Sequence, residues 1–189
     1  MCYSRVADEV RSRFKNLDEV RMCPVLNSCT YLRACIDESL RMSPPGGGPL
    51  WREVGTGGAV IDRGYIPASY DIGVGIHSIH HNGAYYPEPY KFDPNRWIRT
   101  SKSEVTEMYK AYIPFGVGAR SCIGKPLALH ELMLTMATLF YQFEFRASQR
   151  DEEAWNSKKM MAEPFLLRDH VTRQKDGPFI EFRLWKLDT

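Results

Sequence analysis

Apolar residues stand at helical spacing from the start of the chain. Val6, Val10 and Phe14 fall at i, i+4 and i+8 with Asp8, Glu9, Arg11 and Arg13 between them, so an amphipathic helix is predicted over 3–14. A second helix is predicted over 28–42, where Leu32, Cys35, Ile36, Ser39 and Leu40 form one stripe and Pro44 and Pro45 stop it. GGGPLW, residues 46–51, reads as a loop. Beyond it, Ala59-Val60-Ile61 and Tyr65-Ile66 flank Asp62-Arg63-Gly64, which predicts a hairpin, and the weak alternation over 71–77 predicts a further strand. Residues 85–97 hold three prolines and several aromatics and read as an ordered irregular loop. A short helix is expected over 103–111. A long apolar one is expected over 127–141 and reads as buried, with Pro126 suited to its first turn. Phe143–Arg146 and Phe179–Trp185 read as strands, separated by a polar stretch with one apolar patch at Phe165–Leu167. The pattern is mainly helical with small sheets, an α+β class, and shows neither an internal repeat nor a linker.

Composition narrows the function classes. At 189 residues the chain fits one domain. Hydrophobic residues make up 43% and charged ones 25%, as in ordinary globular proteins. The net charge of +2, without a long basic run, argues against nucleic-acid binding. Cys2, Cys23, Cys29, Cys35 and Cys122 are odd in number and form no C-x-x-C pair, which argues against a disulfide framework or zinc site and for a reducing compartment. The best candidate for a membrane span, 127–143, is interrupted by His130 and Glu131 and is too short.

The chemistry concentrates in one run. Phe115, Gly118, Arg120, Cys122 and Gly124 stand in the order F-x-x-G-x-R-x-C-x-G, directly before the apolar helix. Five fixed positions at residue frequencies of about 5% match by chance roughly once in a million starts, so the pattern is specific. A lone cysteine is more often a small buried core residue. The spacing points instead to a thiolate ligand of heme iron. The ligating sulfur must be deprotonated, and its charge needs compensation from the iron and from the amides of the following helix. Gly118 permits a tight turn, and Gly124 lets backbone approach a flat macrocycle. Arg120 is placed to donate to a propionate, and Phe115 to pack beside the sulfur.

This run resembles the heme-binding loop of the cytochrome P450 family, the heme-thiolate monooxygenases. Two further segments, in the family's order, carry the resemblance: Glu38 and Arg41 match its E-x-x-R, and FDPNRW, residues 92–97, is similar to its Pro/Arg segment with Arg96 at the arginine position. Read by periodicity alone, Glu38 and Arg41 lie off the apolar stripe and look like an exposed i, i+3 pair. The resemblance implies instead a structural triad of Glu38, Arg41 and Arg96 that ties the helix to the irregular segment.

The resemblance implies the C-terminal part of the cytochrome P450 fold, with residues 1–189 as a single partial domain. No acid–alcohol pattern of the family's distal oxygen-activation helix is found, so the chain is expected to lack that helix and to begin just after it. The implied reaction is insertion of one oxygen atom of O2 into a small organic substrate, with heme b (iron protoporphyrin IX) held by Cys122 as axial ligand and catalytic residue. An NADPH-dependent reductase is the implied electron donor. Phe115, Gly118, Arg120, Gly124 and Arg52 are the implied cofactor contacts; Arg52 is alternatively a solvated arginine beside Glu53. Pro49, Leu50 and Phe165 are the implied pocket residues. Lys125, Lys110 and Arg99 form a candidate docking rim for the reductase, or are plain solvated cations. His77, His80, His81 and His130 are not needed as ligands and read as surface or packing residues.

Two other functions are weighed. One is a truncated, catalytically inactive heme-binding remnant; the other is a heme-thiolate isomerase or dehydratase that needs no external electrons. The wording PPGGGPLWREV resembles fungal members. A full-length eukaryotic relative is expected on the cytosolic face of the endoplasmic reticulum membrane through an N-terminal anchor, and no anchor is seen in this chain.

Overall fold

The computed structural model describes residues 2–46, 48–99, 101–148, 167–168, 174–175 and 179–185. It combines helices with small two-stranded sheets. Helix α1, Cys2–Arg13, turns Val6, Ala7 and Val10 inward, and Phe14 is buried just past its end. The helix expected over 28–42 is present from Thr30, and a further short helix that the pattern did not mark precedes it. A short α2, Pro24–Asn27, starts on a proline, and α3, Thr30–Met42, follows it. The Glu9 carboxylate accepts from the backbone N–H groups of Tyr31 and Leu32, which are first-turn donors without a partner inside the helix.

The expected loop at GGGPLW is a strand from its fourth residue onward. Strand β1, Pro49–Glu53, is separated from β4, Asp71–Gly75, by the hairpin of β2, Ala59–Ile61, and β3, Gly64–Ile66. β1 pairs antiparallel with β4, setting Trp51 opposite Gly73. The pairing partner lies beyond the hairpin, so the local Gly/Pro signal could not reveal it. β4 stops two residues short of the expected strand end, because Ile76–His80 turns into helix α4 and buries Ile76 and His80.

Residues 85–95 are irregular, as their prolines require, and run into the short helix α5, Arg96–Arg99. Helix α6, Lys102–Ala111, opens on a capping box between Ser101 and Glu104. Helix α7, Lys125–Gln142, buries Met133, Ala137, Phe140 and Tyr141 but leaves His130, Glu131 and Thr135 exposed. It is therefore buried along one side, not all round. Strand β5, Phe143–Ala147, continues directly from α7. The two-residue strands β6, Leu167–Arg168, and β7, Gln174–Lys175, pair with each other, and β5 pairs with β8, Ile180–Leu184. Phe165 lies outside the described residues.

Two apolar clusters hold these elements. The larger joins α1, α2, α3 and α7 through Val6, Val10, Leu26, Leu32, Ile36, Met133, Ala137 and Phe140. Each fully buried aliphatic side chain of this kind contributes about 1.5–3 kcal/mol. The smaller cluster sets Tyr86 against Met108 and Ala111, with Trp97 packed on it. α3 faces both the large cluster and the segment that carries the small one, and that position organises the site.

Candidate functional site

Cys122 sits on the loop between α6 and α7. After Ala111 the chain passes through buried Ile113 and Pro114, then turns sharply. Gly116 and Gly118 have φ of 69° and 71°, in the left-handed region that favours glycine. Gly118 is the turn glycine read from the sequence. Gly116 is a second one, hidden because glycine next to an aromatic carries no distinct signal of its own. Three backbone hydrogen bonds close the loop: Gly116 N to Ile113 O at 3.0 Å, Ser121 N to Gly118 O at 3.0 Å, and Cys122 N to Phe115 O at 2.8 Å. Phe115 thus holds Cys122 through its carbonyl, while its ring is only half-buried. Lys125 N donates to Cys122 O at 3.3 Å, so the cysteine lies immediately ahead of the positive end of α7.

The sulfur lies on an open stretch of chain. Cys122 is a free, exposed cysteine. Val117 is 65% exposed, Ile123 99% and Leu127 63%, so three apolar side chains flanking it in sequence stand bare. A Cβ at Gly124 would meet the Cys122 sulfur at 3.7 Å, so the glycine keeps the side of the sulfur clear. Leu50 reaches the loop from β1, 3.9 Å from where a Gly116 Cβ would lie. Cys29 and Cys35 contrast with Cys122: burial pushes their thiols up to about 11 and about 12, which leaves both as inert packing groups.

The remaining cations divide by their partners. Arg120 is exposed, and among the described residues its guanidinium has no hydrogen bond or ion pair. Arg52, on β1, donates to the Trp51 carbonyl at 2.6 Å. Lys110 pairs with Glu107 at 2.6 Å, and both side chains remain exposed. Lys125 is exposed, and Arg99 is the last residue of α5. Pro49 and Leu50 are exposed on β1.

The exposed pair expected from periodicity is buried. Glu38 and Arg41 are both fully inaccessible, and Arg96 is 8% exposed. The Glu38 carboxylate accepts five hydrogen bonds: two from Arg41 at 2.9 Å each, and one each from Arg96 Nε at 3.1 Å, Trp97 Nε1 at 3.0 Å and Asp93 N at 3.0 Å. One buried carboxylate cannot neutralise two guanidinium groups. The carbonyls of His80, Pro87 and Lys91 take further N–H groups of Arg41 and Arg96, which satisfies the excess donors. Periodicity failed here because it marks only apolar faces, and this face of α3 is buried against a polar irregular segment. Trp97 is a member that the sequence reading did not name; its one signal is its place directly after Arg96.

His80 is also buried, between α3 and the approach to the cysteine loop. Its Nδ1 lies 3.0 Å from the Arg41 carbonyl, and the Ile113 N–H points at its Nε2 at 2.9 Å. A carbonyl only accepts and an amide N–H only donates, so the ring is neutral with its proton on Nδ1. Burial pushes its pKa down to about 4, and the nearby Arg41 charge acts in the same direction. His77 and His81 stack on each other at 4.0 Å, and His130 is exposed. Among the described residues, no three His, Cys, Asp or Glu side chains converge on an ion site.

A free exposed thiol, bare apolar side chains near it in sequence, a clear flank at Gly124 and an unengaged Arg120 fit a flat apolar group bearing carboxylates, with one metal that a thiolate can ligate. Those are the properties of heme.

Comparison with known proteins bears on the same assignment. The cytochrome P450 family model matches residues 2–168. The chain is 47% identical over 96% of its length to the cytochrome P450 monooxygenase lcsN of Purpureocillium lilacinum, of which it covers 54%. It is 47% identical over 97% of its length to apf8 of Gibberella fujikuroi, covering 51%, and 45% identical over 96% to poxM of Penicillium oxalicum, covering 33%. Both of these are likewise named cytochrome P450 monooxygenases. The chain spans between about a third and about half the length of these curated relatives. With the family match running through α1, α3, the cysteine loop and α7, the chain belongs to the cytochrome P450 family.

Proposed function

We propose that this chain carries the heme-thiolate site of a monooxygenase that inserts one oxygen atom of O2 into a small organic substrate, with Cys122 as the axial ligand of heme b. The observation that supports this best is the free, exposed Cys122 on a loop closed by its own hydrogen bond to Phe115, with bare apolar side chains beside it. Heme bound through a thiolate supplies oxygen activation, the sulfur's electron density favouring O–O cleavage. The chain's own residues do the rest. Cys122 presents the sulfur, and α7 offers the positive end of its dipole to that charge. Val117, Ile123 and Leu127 would keep water from the sulfur. Arg120 and Arg52 are the cations available to carboxylates of the cofactor. Glu38, Arg41, Arg96 and Trp97 serve as scaffold and touch no reacting atom.

Pro49 and Leu50 are proposed as part of the substrate wall, because Leu50 already borders the loop. An NADPH-dependent reductase is the proposed electron donor, with exposed Lys125 on its docking side. Among the described residues no helix is long and apolar enough to cross a membrane. The proposed location of the longer protein, on the cytosolic face of the endoplasmic reticulum, would therefore rest on an anchor outside these helices. In a second reading the 189 residues are one heme-binding portion that holds the cofactor without turnover. Full exposure of Ile123 supports it, since nothing among the described residues covers the open side of the loop.

The test is the carbon monoxide difference spectrum of the reduced protein. A thiolate-type band is expected, lost in Cys122→Ala and kept in Cys35→Ala. A band that survives Cys122→Ala would refute the ligand assignment. Product formed only with NADPH and a reductase would separate turnover from the heme-holding reading.

A further inference from the structure

Two successive acids of α3 face the same polar layer, and only Glu38 belongs to the arginine network. Asp37 is 1% exposed and accepts from Arg33 Nε at 2.9 Å and from the Tyr112 hydroxyl at 3.0 Å. Tyr112 is next to Ile113, whose N–H is held by His80 at 2.9 Å. The Tyr112 ring also stacks on the His80 ring, with centroids 5.8 Å apart and planes 20° from parallel. His80 in turn is clamped to Arg41 in both directions: its ring donates to the Arg41 carbonyl, and its own carbonyl accepts from Arg41 Nη1 at 2.8 Å. Two routes therefore leave α3, one through Asp37 and one through Arg41 and His80. They converge on the two adjacent residues at the start of the cysteine loop. From there Ile113 O holds Gly116 N, and Phe115 O holds Cys122 N.

We propose that Asp37, Tyr112 and His80 are positioning residues that fix the cysteine loop from α3, so that the Cys122 sulfur is presented in one place. The proposal rests on Cys122 being the heme ligand. Neither Tyr112 nor His80 needs to touch the cofactor; they act through the loop backbone. A loop with two left-handed glycines has many other conformations available. Anchoring its first residues by two side-chain bonds and a ring stack removes most of that freedom at the end from which the loop departs. The α7 end is held separately by helix packing, so the sulfur lies between two fixed points.

The experiment uses the heme-loaded natural gene product and four variants. Tyr112→Phe removes only the hydroxyl. His80→Phe keeps a ring for stacking but loses both hydrogen bonds. Asp37→Asn keeps an oxygen for Tyr112. Val10→Ala weakens the distant core as a control for general destabilisation. Two quantities are read on mild warming: the ratio of thiolate-type to non-thiolate-type carbon monoxide spectrum, and the amide exchange of Ile113 to Cys122. Loss of the hydrogen bond to the Asp37 carboxylate should move each by roughly tenfold or more in Tyr112→Phe, and loss of both ring bonds should do at least as much in His80→Phe. Asp37→Asn, which keeps one acceptor oxygen and loses the charge, should fall between wild type and Tyr112→Phe, and Val10→Ala, compared at equal loss of stability, should keep the thiolate form. Wild-type behaviour in both Tyr112→Phe and His80→Phe, or an equal loss in Val10→Ala, overturns the proposal. A thiolate band that persists in Cys122→Ala would overturn the ligand reading instead, and the exchange rates would then decide the anchoring separately.

Discussion

Trp97 gives the Glu38 carboxylate a hydrogen bond from its indole, while its ring packs 4.9 Å from Tyr112 and 5.3 Å from Tyr109. Phenylalanine at this position would keep most of that packing and drop the bond. Trp97→Phe should therefore cost about 1.5–3 kcal/mol, the range for a hydrogen bond to a charged group. Glu38→Ala should cost more, about 3–5 kcal/mol, because it leaves Arg41 and Arg96 buried without their counter-charge. Urea unfolding of the heme-loaded protein ranks the two, and the reverse order would mean that the carboxylate is not the hub. At this scale the chain was partly legible. The cysteine loop announces itself because five residue types at fixed offsets are rare together. The burial of Glu38 and Arg41 does not, because a helix face buried by polar partners looks like a solvated one. His80 read as a surface or packing residue; what no local pattern could show is that both of its ring nitrogens are committed to distant backbone.

Helices were read correctly in kind wherever one apolar stripe packs on a core, as in α1, α3 and α7, and their ends moved by a residue or two with the caps. β1 was missed because it opens on a proline directly after a run of glycines and its pairing partner, β4, lies beyond an intervening hairpin. The pairing has a steric requirement that can be tested. A Cβ at Gly73 would come within 2.9 Å of Trp51 Cε3 and 3.1 Å of Pro49 Cβ. Gly73→Ala should thus destabilise the sheet by about 1 kcal/mol, the low end for overpacking. The cost should shrink when Trp51 is also replaced by alanine, since most of the obstruction is the indole. A double-mutant cycle on thermal unfolding measures this. Equal costs in the two backgrounds would show that the tryptophan does not set the register. The sheet matters to the site because β1 carries Leu50, which borders the loop, and Arg52.

Across the whole molecule, buried ionisable groups set the pH range in which the fold holds. His80 is the decisive group on the acid side. Its folded pKa is about 4 against an ordinary 6.5, so between these values the unfolded chain takes up a proton that the folded one refuses. Stability contributed by the neutral ring is complete above about pH 6.5 and is lost as pH falls toward 4. At pH 5 the loss from His80 is on the order of 2 kcal/mol. His81 is shifted down by burial as well and adds in the same sense. The charges that face His80 are Arg41 from α3 and His77 and His81 from its own helix; Tyr86 and Tyr112 pack on the ring as neutral phenols. Asp93 and Glu104 are lowered from ordinary carboxylate values, so their contributions are present above those values and fade as the solution becomes more acid. On the alkaline side the sign reverses. The thiols of buried Cys29 and half-buried Cys35 stay protonated in the fold while the unfolded chain loses its protons above about pH 9, so stability falls again there. A plateau between about pH 6.5 and 9 is expected, with an acid limb that belongs mainly to one residue. Chemical denaturation at stepwise pH tests this in wild type and in His80→Phe. The variant should start less stable at pH 7.5 but lose much less between pH 7 and 5. If its acid limb parallels that of the wild type, the His80 contacts do not govern the acid stability of the fold.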